Sequence, residues 1–272
     1  MVPVVIAGFG LAIGSFLNVV AYRVPLGLSV VSPPSACPGC GSPIGARDNI
    51  PLLSWILLRG KCRNCAAPIS ARYIVVEAIT GVAFVAVALR FLPGLFNAAS
   101  VGAIVSAVLV LVAFLYLAAI SVALTAIDID VRRLPDRIVL PSYVVGIVLL
   151  ATAAIVDADL APLARALAGA GILFVFYFVL ALIKPGGMGM GDVKLAGVLG
   201  LFLGQLGWAE LAVGAAGAFL LGGIFGIALL IGGRAKRRSA IPFGPWMFAG
   251  AWLGVFAGAP IANTYLTLVG LT

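Results

Sequence analysis

The stretch Phe114-Leu115-Tyr116-Leu117-Ala118-Ala119-Ile120-Ser121-Val122-Ala123-Leu124-Thr125-Ala126-Ile127-Asp128 is uncharged until its last residue. It closes a longer uncharged run over 103–127. A helix needs about 20 apolar residues to cross a bilayer, so this run reads as a transmembrane span. The rest of the chain agrees. Of its 272 residues, 63% are apolar, against about 45–50% in a soluble domain. The reading is an all-α polytopic membrane protein. About eight transmembrane helices are expected, near 2–22, 74–92, 103–127, 137–156, 165–184, 192–205, 208–232 and 245–269.

Charge sets the expected orientation. The first apolar run has no cation before it, and Arg23 follows it. That predicts a retained first span with its N-terminus outside, rather than a cleaved signal. Fifteen of the 17 cations then fall in inside loops, among them Arg132, Arg133, Lys184, Lys194 and Arg234 through Arg238. Only Arg90 and Arg165 fall outside, which is a positive-inside distribution. The sixth span is short. A re-entrant hairpin there would place the Arg234–Arg238 cluster outside, so a short crossing helix is preferred.

The chain has no histidine. Ser-His-Asp, Cys-His and His-zinc catalysis are therefore excluded. Acid–base chemistry must come from other groups, and nine acidic residues are available. Two stand out, because ionisable groups at membrane spans are costly and functional by default. Asp128 closes the third span. Asp192 opens the sixth, after Gly186-Gly187-Met188-Gly189-Met190-Gly191. The charge topology brings both to the cytoplasmic face, where two carboxylates can share a proton. The plain alternative for Asp192 is a helix N-cap behind a glycine turn. Asp136, after Leu134-Pro135, reads as an N-cap. Asp130 reads as a solvated end charge, and Asp48, Asp157, Asp159 and Glu210 as loop or end charges. Glu77, one turn into the second span, reads as an interfacial partner of an Arg or as part of a polar site. Gly10 and Gly14 read as a small-xxx-small helix contact.

All four cysteines lie in the loop 23–73, as Cys37-Pro38-Gly39-Cys40 and Cys62-Arg63-Asn64-Cys65. Two C-x-x-C knuckles at this separation fit a tetrathiolate zinc ribbon. Four thiolates close the coordination shell, so the zinc would be structural. A cytoplasmic loop argues against disulfides. The expected domains are a first helix (1–22), a cytoplasmic four-cysteine domain (23–73) and a transmembrane catalytic domain (74–272).

These pieces together resemble the bacterial type IV prepilin peptidases, of the GxGD aspartyl protease class. The resemblance runs from Gly14-Ser15-Phe16-Leu17-Asn18 through Tyr22-Arg23-Val24-Pro25, the cysteine loop, Asn49-Ile50-Pro51-Leu52-Leu53-Ser54-Trp55, and Pro68 to Tyr73 with Glu77. It continues through Asp128 to Asp136, Gly189-Met190-Gly191-Asp192-Val193-Lys194 and Phe243-Gly244-Pro245. It implies that Asp128 and Asp192 are the catalytic pair. It implies an inner-membrane enzyme that cuts the short basic leader from type IV prepilins or pseudopilins at the cytoplasmic face. Methylation of the new N-terminus with S-adenosylmethionine is implied next, though the methyl-transfer site is not placed. Membrane lipid is an expected partner and nucleic acid is not. The rival readings are a proton-coupled transporter, which would favour midplane sites and internal repeats, and an assembly factor.

Overall fold

The computed structural model describes residues 2–184, 187–233 and 242–270. The chain divides into two compact units, one of residues 1–93 with 114–126 and one of residues 94–113 with 127–272.

In the first unit, α1 (Val2–Arg23) is apolar on all sides and buries a stripe of Gly10, Gly14, Leu17, Asn18 and Ala21. In lipid, helices close on small residues because apolar burial alone does not drive them together. That is what happens against α3 (Arg72–Phe96). A Cβ on Gly10 would lie 2.8 Å from Phe84 Cβ, and one on Gly14 would lie 2.7 Å from the Glu77 Cα. The expected small-xxx-small contact is present. Asn18, buried in the same stripe, donates its Nδ2 to Gly14 O at 3.3 Å and to Tyr73 O at 3.2 Å. Leu17, Val76 and Ala123 form a shared core. Arg72 donates to Ala126 O at 3.1 Å, on α4 (Val101–Val131).

Between α1 and α3 lie a 3-10 turn at Ala46–Asp48 and the short helix α2 (Leu53–Leu57). The remainder of this loop is held by two isolated bridges, Ala36 with Pro43 and Lys61 with Pro68.

The second unit holds the ends of α4 and then α5 (Asp136–Val156), α6 (Ala161–Ile183), α7 (Met190–Leu206), α8 (Trp208–Ile231) and α9 (Gly244–Leu268). Helix α7 is its core. Every residue from Leu195 to Gly204 is buried, and α5, α6, α8 and α9 all pack on it. Glycines permit this closeness, since a Cβ on Gly169, Gly200 or Gly204 would run into the facing backbone of α6 or α7. Pairing α8 with α9 follows the same logic at Gly250 and Gly254.

Among the described residues, seven helices are long and apolar enough to cross a membrane. The eighth expected span is α7, whose 17 residues run about 26 Å at ~1.5 Å per residue. Its neighbours shield its short length from lipid. The all-α, multi-pass architecture is as expected. The cations of the Arg234–Arg238 cluster, and Gly186, lie outside the described residues.

Candidate active site

Asp128 sits in the last turn of α4 and is buried, 4% exposed. The helix ends four residues later, where Arg132 adopts φ 52° and its N–H returns to Asp128 O at 2.9 Å. Asp192 sits at the third position of α7, partly buried. Its Oδ2 accepts from the N–H of Gly189, the N-cap, at 3.1 Å. Asp192 is therefore not the cap itself. It is the acidic residue that reaches back to the cap, in the favourable field of a helix N-terminus.

Asp128 is fixed in the same way from a distance. Its Oδ2 accepts from the Gly244 N–H at 2.9 Å, at the start of α9. Each carboxylate thus has one oxygen held by a glycine N–H. Among the described residues the other oxygen of each accepts no hydrogen bond. Leu134 packs between the two motifs. A Cβ on Gly191 would lie 3.0 Å from Leu134 Cβ, and one on Gly244 would lie 3.4 Å from Leu134 Cδ2. The Asp192 carboxyl lies within electrostatic range of Asp128 and of the buried Tyr177. Tyr177 in turn meets the Phe243 ring at 6.3 Å.

Asp136 departs from expectation. The N-cap of α5 is Pro135, and Asp136 is the first helical residue. Its two oxygens accept from Lys194 Nζ, each at 2.8 Å. The proline already fixes the helix entry, which leaves the carboxylate to pair across to α7. Asp130 is exposed, as expected of an end charge.

The cysteines come together. The four Sγ atoms lie within 4.8 Å of one another. Each knuckle uses the same turn, with Cys37 N–H bonded to Ser42 O at 2.9 Å and Cys62 N–H to Ala67 O at 2.8 Å. Hydrogen bonding to Ser42 holds the Cys40 thiol down at about 6. At Cys65 an Ala67 N–H favours the thiolate, but the crowded sulfurs outweigh it and push the thiol up to about 12. Four sulfurs this close could hold a metal ion among them. Asp48, read as a loop charge, accepts from Arg63 of the second knuckle at 2.6–3.0 Å.

Comparison with known proteins agrees with this arrangement. The Bacterial Peptidase A24 N-terminal domain matches residues 9–91, and the Type IV leader peptidase family matches residues 115–227. A prepilin leader peptidase/N-methyltransferase of Aeromonas hydrophila is 36% identical, over 95% of this chain and 92% of its own. One of Bacillus subtilis (strain 168) is 32% identical, over 96% of each. One of Pseudomonas aeruginosa is 33% identical, over 96% of this chain and 92% of its own. No solved structure matches the chain.

The chain belongs to the type IV leader peptidase family. The resemblance drawn from its motifs is borne out. Asp128 and Asp192 fall inside the leader peptidase match, and the four cysteines fall inside the N-terminal domain match. Two residues of this family member have partners that the sequence reading did not supply. Gly244 was legible only as part of a motif, because its role is a backbone donor 116 positions from its acceptor. Glu77 was read as the partner of an Arg or as part of a polar site. It is buried, and its Oε2 accepts from the Leu52 N–H at 2.8 Å, tying α3 to the loop before α2.

Proposed function

We propose that this chain is an aspartic endopeptidase of prepilins or pseudopilins, with Asp128 and Asp192 as its catalytic pair. The observation that carries the proposal is the matched anchoring. Two carboxylates, from the end of α4 and the start of α7, each keep one oxygen fixed and the other available for chemistry. In the reaction, the ionised member takes a proton from water while the water oxygen attacks the scissile carbonyl. The protonated member donates to the carbonyl oxygen. Collapse of the tetrahedral species expels the amine, which leaves with a proton returned by the pair. The two carboxyls titrate as one unit, so the roles belong to the pair.

The second half of the activity is N-methylation of the new N-terminus with S-adenosylmethionine, supported by the names of the relatives. The cysteine cluster fits structural zinc, bound by Cys37, Cys40, Cys62 and Cys65. The sulfurs are soft donors, and their spacing suits one tetrahedral ion. Bound there, the ion would hold the two knuckles together. In functional terms the first helix (1–22), the cysteine domain (23–73) and the catalytic domain (74–272) form three parts. The N-terminus lies outside, and the cysteine domain and aspartates face the cytoplasm, with lipid and not nucleic acid as the surrounding partner.

The test is leader cleavage by purified protein in detergent. Asp128→Asn and Asp192→Asn should each abolish it. Near-normal cleavage by either variant would reject the pair, and a transporter or assembly role would tolerate both changes.

A further inference from the structure

The short helix α2 is amphipathic the wrong way round for a water-facing loop. Its inward residue is Ser54, 7% exposed. Ser54 Oγ donates to Arg47 O at 2.9 Å and accepts from Ile50 N at 3.0 Å. Trp55 also turns toward the domain, donating its Nε1 to Ile69 O at 3.1 Å. A Cβ on Gly60 would lie 2.8 Å from the Trp55 ring. Leu53, Ile56 and Leu57 share the opposite face at helical spacing. They are 49%, 61% and 71% exposed. A single exposed leucine says little. A polar residue held inside, with three large apolar ones turned out, marks a contact surface.

Two hydrogen bonds set the depth of this segment. Ser15 Oγ on α1 donates to Asn49 Oδ1 at 3.5 Å. Glu77 on α3 accepts from Leu52 N at 2.8 Å. Ser15 lies eight residues from the end of α1 at Arg23, about 12 Å at ~1.5 Å per residue. Glu77 lies five residues from the start of α3 at Arg72, about 8 Å on the same scale. Helix α1 has 22 residues, about 33 Å, and the hydrocarbon layer is about 30 Å thick. Little of α1 is left to stand clear of the membrane. Residues 49–52 therefore sit where headgroups meet acyl chains, and α2 follows them directly.

The charges match that position. Arg59 and Lys61 come just after α2 and are exposed. No acidic residue occurs between Asp48 and Glu77, and Asp48 is paired with Arg63. Basic residues at this level attract anionic headgroups.

We propose that α2 is a membrane-docking element. Leu53, Ile56 and Leu57 enter the leaflet beside α1 and α3, and Arg59 and Lys61 meet anionic phospholipid headgroups. Interfacial helices sink their apolar face about 5–10 Å into the headgroup and acyl boundary. The anchors at Ser15 and Glu77 hold α2 at that level. Five residues free in solution would bind lipid weakly. Here both ends of the loop are carried by spanning helices, so docking is intramolecular and a short face suffices. Cys62 follows Lys61, so docking also holds the second knuckle close to the membrane surface. The proposal does not depend on which carboxylates cut the leader.

The test places a benzophenone amino acid at position 55, 56 or 57 of the full chain. The protein is held in nanodiscs of equimolar phosphatidylglycerol and phosphatidylcholine. Irradiation should give phospholipid adducts at 56 and 57 and none at 55. Phosphatidylglycerol adducts should exceed the others by up to about fivefold, the scale of one basic residue near an anionic surface. Positions 56 and 57 are exposed already, so the probe needs no space in a core. Thermal unfolding close to wild type reports that each probed protein is folded. Absence of lipid adducts at 56 and 57 overturns the docking, and equal labelling at all three positions overturns the oriented face. Equal adducts of the two lipids overturn the match to anionic headgroups. Adducts to added prepilin, or to a second copy of the chain, in place of lipid make the face a protein interface and overturn the proposal too.

Discussion

The backbone N–H of Gly244 reaches across 116 sequence positions to hold Asp128 Oδ2 at 2.9 Å. No side chain takes part on the α9 side, so the bond requires that the helix start approach the carboxylate closely. A Cβ at Gly244 would lie 2.8 Å from that same oxygen.

Gly244→Ala should therefore displace the Asp128 carboxyl without unfolding the chain. A misplacement near 1 Å can lower a rate about 100-fold. The expected result is a fall of that order in kcat for leader cleavage, with KM little changed. Steady-state kinetics on a prepilin would check this. A kcat within about threefold of wild type, less than 1 kcal/mol on the rate scale, would mean the bond does not position Asp128.

Glu77 should matter for stability rather than chemistry. Its carboxylate accepts the Leu52 N–H, and Leu52 holds a left-handed φ of 60° that a leucine seldom adopts. Glu77→Ala leaves that donor unpaired, a loss of about 1–3 kcal/mol. Glu77→Gln keeps an acceptor and should recover most of it. Thermal unfolding in detergent, with limited proteolysis around residues 49–58, measures both. Equal destabilisation by Ala and Gln would assign the effect to charge instead.

The Asp48–Arg63 pair should give the ribbon an acid-sensitive brace. Hydrogen bonding from Arg63 holds the Asp48 carboxyl below its usual range. A depressed folded value means stabilisation is present above the unfolded pKa of about 3.9, and is lost as pH falls through the lower folded one. Asp48→Asn should thus unfold this loop domain more readily than wild type at neutral pH. The gap should close at strongly acid pH, as wild type loses its own brace. Thermal unfolding of the metal-free proteins in detergent, compared between the two at matched pH, isolates the effect from thiolate protonation. A gap independent of pH would exclude this origin.

Much of this architecture was legible because its signals are local. Uncharged runs marked the spans, and each C-x-x-C pair carries its own turn. Asp128 and Asp192 were legible as costly charges at helix ends. The relations between distant segments were not. Asp136 looked like a cap because proline and aspartate precede an apolar run, yet its partner Lys194 is 58 positions away. Glu77 offered only its depth, since a backbone N–H leaves no trace in composition. Helix α7 reads as short because a length rule treats each span as if it faced lipid alone. Its burial against four other helices comes from glycines on several of them.

Helix α4 has 31 residues, about 46 Å at ~1.5 Å per residue. The hydrocarbon layer is about 30 Å thick, and an ordinary tilt of ~20° shortens the helix only to about 43 Å. A helix this long can reach past the oily layer, and Asp128 stands in its last turn. The helix then acts as a depth gauge. It would set the carboxylate near the level of the headgroups, while the packing that leaves Asp128 4% exposed keeps bulk water from it.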